Sequence, residues 1–355
     1  MERPEETLDD VAKLNAIDRK GMLGLIDKLP DMMEEGWAAA EALQLPELGE
    51  VANLVISGMG GSAISGDIVS HVIREKAAFP VIVNRSYSCP RFVNKNTLFI
   101  AVSYSGNTEE TISAFKEALS RKAKIISITS GGELKELSDK NNVPFIVIPK
   151  GLPPRAALGY LLAPLLNVLY KTGLSHIKAD FMEASKLLKQ LLKKRSASCA
   201  TRENEVKQMA ARLSGKIPVI LATEGTTYAA GLRWKTQINE NSKMTALFTV
   251  FPELNHNDLV NFSFLRSGEH DYSFVLLRDE HDLERMKKRI EITKSLISGY
   301  VGGIAEVSSQ GKTALERMMS LIQFGDYLSV YLAELAGIDP TPVEIIEKLK
   351  KELAR

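Results

Sequence analysis

The rhythm of short apolar runs constrains this chain more than any other feature. Residues 54–56, 81–83, 98–102, 125–128 and 145–148 are apolar runs too short for helices, and most are separated by stretches with helical spacing. Such runs read as strands whose two faces are both covered, which is why they are continuous rather than alternating. Strands interleaved with helices imply a parallel sheet with helices on both faces. The rhythm resumes at 217–221, 247–250, 274–277 and 301–307, again with helical patterns between, so a second α/β unit is expected.

Between the two sets, 156–213 is helical in pattern and rich in Lys and Leu, and the connection between domains is placed there. A helical preface over about 8–45 carries Val11, Leu14 and Ile17 at three-residue steps, then Met22, Leu25 and Leu29. A long helix is predicted over 312–336, ending at Gly337. Asp339-Pro340-Thr341-Pro342 then opens a terminal helix with proline at an early position. The expected organisation is a helical segment at 1–45, α/β domains at 46–170 and 214–336, a helical connection at 171–213 and a terminal helix at 337–355. A length of 355 residues with 45% hydrophobic content suits two cores. Residues 55–58 and 219–222 share a faint repeat of strand, polar turn and helix.

With 45 basic against 44 acidic residues, the chain has no electrostatic footprint for nucleic acid or an anionic membrane surface. Its ligand has to be recognised locally. Cys89 and Cys199 lie far apart and form no CxxC pair, which argues against a disulfide framework and a zinc cluster and points to a reducing compartment. The start of the sequence carries no apolar signal region, and the longest apolar stretch, 158–170, is too short for a bilayer and contains Pro164. A cytoplasmic protein is the expectation.

Two strand-to-helix turns of the first unit are built to approach an anion. Gly58-Met59-Gly60-Gly61-Ser62-Ala63 follows the first strand, and its glycines let backbone N–H groups at a helix start come close to a phosphate. The same residues satisfy a loose dinucleotide pattern, GxGxxA. The acidic residue that would hold a ribose is missing, since the second strand ends at Asn84-Arg85, although Arg85 leaves NADP conceivable. The second turn, Ser103-Tyr104-Ser105-Gly106-Asn107-Thr108, packs three small hydroxyls around a glycine, which suits a monophosphate ester. The plain alternative is that Asn107 or Thr108 caps the next helix, with Glu110 completing a box.

The SYSGNT at 103–108, after GMGGSAISGD at 58–67, closely resembles the phosphate-binding pattern of sugar-isomerase (SIS) domains. GLPPRAALGY at 151–160, NENSK at 239–243, ELNHND at 253–258 and DPTPV at 339–343 are similar to the archaeal and bacterial bifunctional phosphoglucose/phosphomannose isomerases. The resemblance spans roughly 50–350 in order, with a slightly altered tail, Leu259-Val260, to the histidine motif. It implies two SIS domains, each a parallel sheet flanked by helices in a three-layer αβα, flavodoxin-like arrangement. It also implies a homodimer with an active site between domains and across the subunit interface. The reaction implied is interconversion of glucose 6-phosphate and fructose 6-phosphate, with mannose 6-phosphate as a further substrate, without metal or organic cofactor. The five histidines are scattered without HxxxH or HxH spacing, in agreement.

Aldose–ketose isomerisation needs a base that carries a proton between C1 and C2, a group that opens the ring, and charge stabilisation for the enediol. By resemblance Glu240 is the base, His256 the ring-opening residue supplied by the partner subunit, and Arg155 the fixed charge beside the enediolate. Gly60, Gly61, Ser62, Ser103, Tyr104, Ser105 and Thr108 are implied for substrate binding, and Thr341 and Lys348 for the lining of the site. Family members with threonine at the Thr341 position act on both C2 epimers, through room for an ordered water. On their own these residues have ordinary readings: a helix-end carboxylate, a surface histidine, a solvated arginine. Glu240 needs partial burial to be basic enough, and Asn255, Asn257 and Asp258 are placed to fix the His256 tautomer. Thr341 and Lys348, seven residues apart on the predicted terminal helix, would share a face.

A non-catalytic sugar-phosphate sensor would keep the 103–108 loop without needing Glu240 and His256. Such regulators commonly carry a basic recognition helix, which the acidic residues 1–50 do not supply. The isomerase half of a glucosamine 6-phosphate synthase would come with a nucleophilic N-terminal cysteine, which neither Cys89 nor Cys199 provides.

Overall fold

The computed structural model describes residues 3–265 and 272–353. The chain divides into two units, an amino-terminal one of Lys28–Lys189 with Gly311–Glu316 and a carboxyl-terminal one of Met1–Asp27, Gln190–Gln310 and Arg317–Arg355. The helical preface consists of four helices: α1 (Pro4–Leu8), α2 (Val11–Ile17), α3 (Met22–Asp27) and α4 (Leu29–Glu41). Its breaks have local causes. The Asp10 carboxylate starts α2 by accepting the Lys13 N–H at 3.0 Å. After a left-handed turn at Gly21, Asp18 starts α3 by accepting the N–H groups of Met22 and Leu23 at 2.8 and 2.9 Å.

In the amino-terminal unit the order is β1 (Asn53–Ser57), α5 (Gly60–Ile73), β2 (Val81–Asn84), β3 (Thr97–Ser103), α6 (Glu109–Ser120), β4 (Lys124–Thr129), α7 (Gly132–Lys140) and β5 (Phe145–Val147). The strands are parallel and ordered β2-β1-β3-β4-β5, the flavodoxin-like arrangement. Alternate residues serve opposite faces. Val55, Phe99 and Ala101 pack with Ala114, Phe115 and Leu134 of α6 and α7. On the other face Gly66 of α5 sits so close that a β-carbon there would stand 3.0 Å from the Ile56 side chain. The three-layer sandwich expected from the apolar runs is present. The 156–213 stretch forms α8 (Leu158–Lys171), α9 (Lys178–Arg195) and α10 (Glu205–Leu213), the last capped by Asn204, whose amide oxygen accepts from Val206 and Lys207.

The carboxyl-terminal unit contains β6 (Ile217–Thr223), α11 (Thr226–Gln237), β7 (Leu247–Phe251), α12 (Asp258–Phe262), β8 (Tyr272–Arg278), α13 (Glu284–Ile297), β9 (Ile304–Ser308), α14 (Ala314–Leu335) and α15 (Glu344–Leu353). Its parallel sheet runs β7-β6-β8-β9. Val219, Leu221, Phe274 and Leu276 pack with Phe262, Ile290 and Ile297 on one face. Gly231 of α11 lies on the other, where a β-carbon would meet Phe248 at 2.6 Å.

Three expected boundaries shift. The strand expected at 301–307 begins only at Ile304, because Gly303 turns the chain at φ +96°. The helix expected from 312 starts at Ala314, set by a capping box in which Thr313 Oγ1 accepts the Glu316 N–H at 3.2 Å and the Glu316 carboxylate accepts the Thr313 N–H at 2.7 Å. The terminal helix starts at Glu344, beyond Thr341. Pro340 and Pro342 flank Thr341, and a residue before proline is forced out of helical backbone.

Candidate functional site

In the amino-terminal unit β1 and β3 are adjacent, with Ser57 beside Ala101, and the chain leaves them toward opposite edges of the sheet. That switch point is where open α/β sheets bind ligands. Gly60, Gly61 and Ser62 form the first turn of the 14-residue helix α5, whose N-terminus carries partial positive charge. Gly60 takes φ +50°. A β-carbon on Gly61 would stand 3.0 Å from the Pro154 carbonyl oxygen and 3.3 Å from the Arg155 Cα, so the short 3₁₀ turn Pro154–Ala156 lies directly against the start of α5. Arg155 is 4% exposed.

The second loop is organised by its own hydroxyls. Ser103 Oγ lies 2.9 Å from Thr108 Oγ1 and accepts the Gly106 N–H at 3.1 Å, while Ser105 Oγ accepts the Asn107 N–H at 3.2 Å. Gly106 is obligatory, since at φ +73° a β-carbon would fall 1.7 Å from the Gly131 carbonyl oxygen. The capping alternative does not hold for α6. Thr108 occupies the cap position but its side chain bonds no helix N–H, and Asn107 Oδ1 instead accepts the Glu133 N–H at 3.0 Å in the neighbouring helix α7.

Tyr104 is a strut. Its buried hydroxyl donates to the Pro149 carbonyl and accepts the Leu152 N–H, both at 2.9 Å, and burial raises its pKa above the usual phenol value. Thus Tyr104 holds the segment that leads into Arg155. The Arg85 guanidinium, on which the NADP alternative rested, is paired with Asp67 of α5, and Asn84 donates to Ser57 Oγ at 3.2 Å.

In the carboxyl-terminal unit Glu240 stands, half-buried, in a π-helical turn, Ile238–Ser242, that continues α11. Turns of this kind cost stability and recur at functional sites. This one is bolted to α14. Asn241 Nδ2 donates to Ser329 Oγ at 2.9 Å and Ser242 Oγ to the Ser329 carbonyl at 2.6 Å. One turn earlier, Arg233 grips Asp326 with two bonds of 2.8 and 2.9 Å, and Gln237 adds a third at 3.0 Å. The Lys243 ammonium lies within hydrogen-bond distance of the carbonyls of Glu240, Asn241, Asp339 and Pro340, so the Glu240 turn and the Thr341 segment are joined. Thr341 is buried and its N–H donates to Asp339 Oδ1 at 3.0 Å.

His256 is exposed at the end of a 3₁₀ turn, Glu253–His256. Its neighbours do not fix its tautomer. Asn255 donates to Thr293 Oγ1 at 2.8 Å, Asn257 donates to the Glu253 carboxylate at 3.1 Å, and the Asp258 carboxylate accepts from Thr249. Among the described residues the imidazole has no hydrogen-bond partner. Lys348 is exposed on α15 and does not share a helix face with Thr341, which precedes that helix. The structure therefore brings Gly60, Gly61 and Ser62 together with Arg155 around the switch point that also carries the Ser103–Thr108 loop, and joins Glu240 to Thr341. It ties neither His256 nor Lys348 to Glu240 or Thr341 by any hydrogen bond or ion pair among the described residues.

Comparison with known proteins adds an independent line. Residues 47–143 match the SIS domain family, and residues 202–353 match the bacterial phospho-glucose isomerase C-terminal SIS domain. The bifunctional phosphoglucose/phosphomannose isomerase of Caldicellulosiruptor bescii is 42% identical over 94% of this chain and 99% of its own length. The protein of the same name from Thermoplasma volcanium is 41% identical over 87% of this chain and 93% of its own. The chain belongs to the bifunctional phosphoglucose/phosphomannose isomerase family. A hypothetical protein of Thermus thermophilus shares the fold, with a TM-score of 0.72 over 99% of this chain and 97% of that one at 18% identity.

In this member of the bifunctional isomerase family, sequence reasoning passed over Lys243, Asp326 and Ser329. Lys243 was visible in the NENSK motif as a residue type, but its four carbonyl partners lie partly 96 and 97 positions away. Asp326 and Ser329 sit inside α14 with no local pattern that marks them.

Proposed function

We propose that this protein interconverts glucose 6-phosphate, fructose 6-phosphate and mannose 6-phosphate through a cis-enediol, using side chains alone, and works as a cytoplasmic homodimer of two-SIS-domain subunits. The observation that carries the reading is the β1/β3 switch point. There a hydroxyl-lined loop built on Gly106 adjoins the glycine start of α5, against which the turn of buried Arg155 is packed. A compact dianion suits such a place, since helix N–H groups, small hydroxyls and a fixed cation all favour negative charge.

In this reading Ser103, Ser105, Thr108, Gly60, Gly61 and Ser62 hold the phosphate, with Tyr104 bracing the loop. Glu240 takes the C2 proton of the open-chain aldose, leaving an enediolate whose charge Arg155 offsets, and delivers a proton, exchangeable with solvent while it is on the carboxyl, to C1 as the O2 hydroxyl proton passes to O1, which gives the ketose. The clamped turn supports the assignment by holding the Glu240 carboxylate in a fixed place. His256 of the partner subunit moves the proton that opens the ring. Its exposure and lack of a partner among the described residues suit a group offered to another subunit. Thr341 sets the tolerance for both C2 epimers, and Lys348 of α15 completes the lining.

The test is conversion of fructose 6-phosphate by purified protein in deuterated water, with the two aldose products resolved. Formation of both products with deuterium at C2 is expected, and Glu240→Gln should retain binding while losing most exchange. Wild-type exchange in that variant would overturn the base assignment. Binding without conversion by the wild-type protein would favour a sugar-phosphate sensor instead.

A further inference from the structure

We propose that Lys243 is a positioning residue that sets Glu240 against Thr341, an inference that rests on the reading of Glu240 as the base. Lys243 sits where the π-helical turn ends, in left-handed backbone at φ +57°. Left-handed backbone is uncommon for a residue with a β-carbon and persists only where the surroundings hold it. What holds it here is the ammonium. Its three N–H groups face four carbonyl oxygens, those of Glu240 at 2.8 Å, Pro340 at 2.9 Å, and Asn241 and Asp339 at 3.2 Å. Two of these acceptors close the turn that carries Glu240, and two lie in the segment immediately before Thr341.

The anchors made by Asn241, Ser242 and Arg233 lead to α14, and Asn239 donates to the Met244 carbonyl at 2.8 Å. Among these bonds only those of Lys243 fix the height of the turn relative to residues 339–341. Asp339 then passes the constraint on, because its carboxylate accepts the Thr341 N–H. A cation bonded to carbonyl oxygens is stronger than a neutral donor and cannot be mimicked by an apolar side chain. The chemistry of proton transfer is sensitive to displacements of about 1 Å, which cost on the order of 100-fold in rate. Lys243 thus acts on kcat through geometry and on epimer choice through Thr341, while the phosphate contacts of the other unit are untouched.

The experiment compares Lys243→Asn, which tolerates left-handed backbone but lacks the ammonium, with Lys243→Arg, which keeps a cation. For fructose 6-phosphate, Lys243→Asn should lower kcat on the order of 100-fold with KM changed by less than about threefold, and should shift the ratio of mannose to glucose 6-phosphate formed. Lys243→Arg should recover most of kcat. A Lys243→Asn protein with kcat within about threefold of wild type and an unchanged product ratio would overturn the proposal. So would a loss that merely follows the folded fraction measured by circular dichroism. Full activity in Glu240→Gln would instead remove the underlying reading, so the two failures are told apart.

Discussion

Glu334 offers a quantitative test of how the carboxyl-terminal unit is built. It lies near the end of α14, is 1% exposed, and neither carboxyl oxygen has a hydrogen-bond partner among the described residues. Burial, helped by the nearby Asp18 carboxylate and opposed by Lys207, pushes its pKa up to about 8. In the unfolded chain it returns to the ordinary value near 4.5. Between those values the unfolded state gives up a proton that the folded state keeps, so stability is fully present below about pH 4.5 and falls until the pH passes 8. At about 1.4 kcal/mol per pH unit, the loss is about 3 kcal/mol by pH 7 and about 5 kcal/mol by pH 9. Glu334→Gln removes the titration while keeping the shape, and any mismatch of its amide is independent of pH. Urea unfolding at fixed protein concentration should show the variant gaining about 3 kcal/mol on wild type between pH 5 and pH 8. An equal difference at the two pH values would refute this reasoning, because the carboxyl would then be ionised or solvated already.

Gly106→Ala should weaken fructose 6-phosphate binding on the order of 100-fold, about 3 kcal/mol of strain and clash at the 103–108 loop, as read by calorimetric titration. Unchanged affinity would remove that loop from the phosphate site. Under native conditions at pH 8 a thiol reagent should modify Cys199 within minutes and Cys89 only after unfolding, since burial raises the Cys89 pKa to about 11 and its thiol donates to the Ala114 carbonyl. The proposed route runs on side chains alone, so exhaustive dialysis against a chelator should leave the isomerisation rate unchanged. A loss restored by one divalent metal would refute that chemistry.

The layers of both sheets were legible because buried parallel strands advertise themselves as unbroken apolar runs, and the turns after β1 and β3 because glycines and hydroxyls are rare in such company. Features created by distant partners were not legible. The cap on α6 that the plain alternative gave to Asn107 or Thr108 is not made, and Asn107 accepts from Glu133 of α7 instead, since only the folded sheet brings the two together. Glu240 read as a plain helix end, as a π-helical turn has no composition of its own and here depends on Ser329 and Asp326, some 87 to 93 positions away. Thr341 and Lys348 were expected on one helix because spacing alone overlooks what Pro340 and Pro342 do to the residue between them.

The faint repeat between 55–58 and 219–222 also acquires a physical meaning. Both sheets have a switch point, in the second case between β6 and β8, and both begin a helix just beyond it. In the second sheet, however, Thr223 Oγ1 donates to Asp282 at 2.9 Å, and Asp279 at the end of β8 is bound to Arg317 at 2.9 Å. Burial and the Asp279 charge hold the Asp282 carboxyl above its usual range. A phosphate approaching this crevice would meet carboxylates, with the Arg317 guanidinium already engaged. In the proposed reading the phosphate site therefore belongs to the first sheet, while the second carries the π-helical turn of Glu240. The acidic character of that second switch point sits on residues at and just after β8, more than 50 positions from the repeat at 219–222, so it appears only once strand order places β8 beside β6.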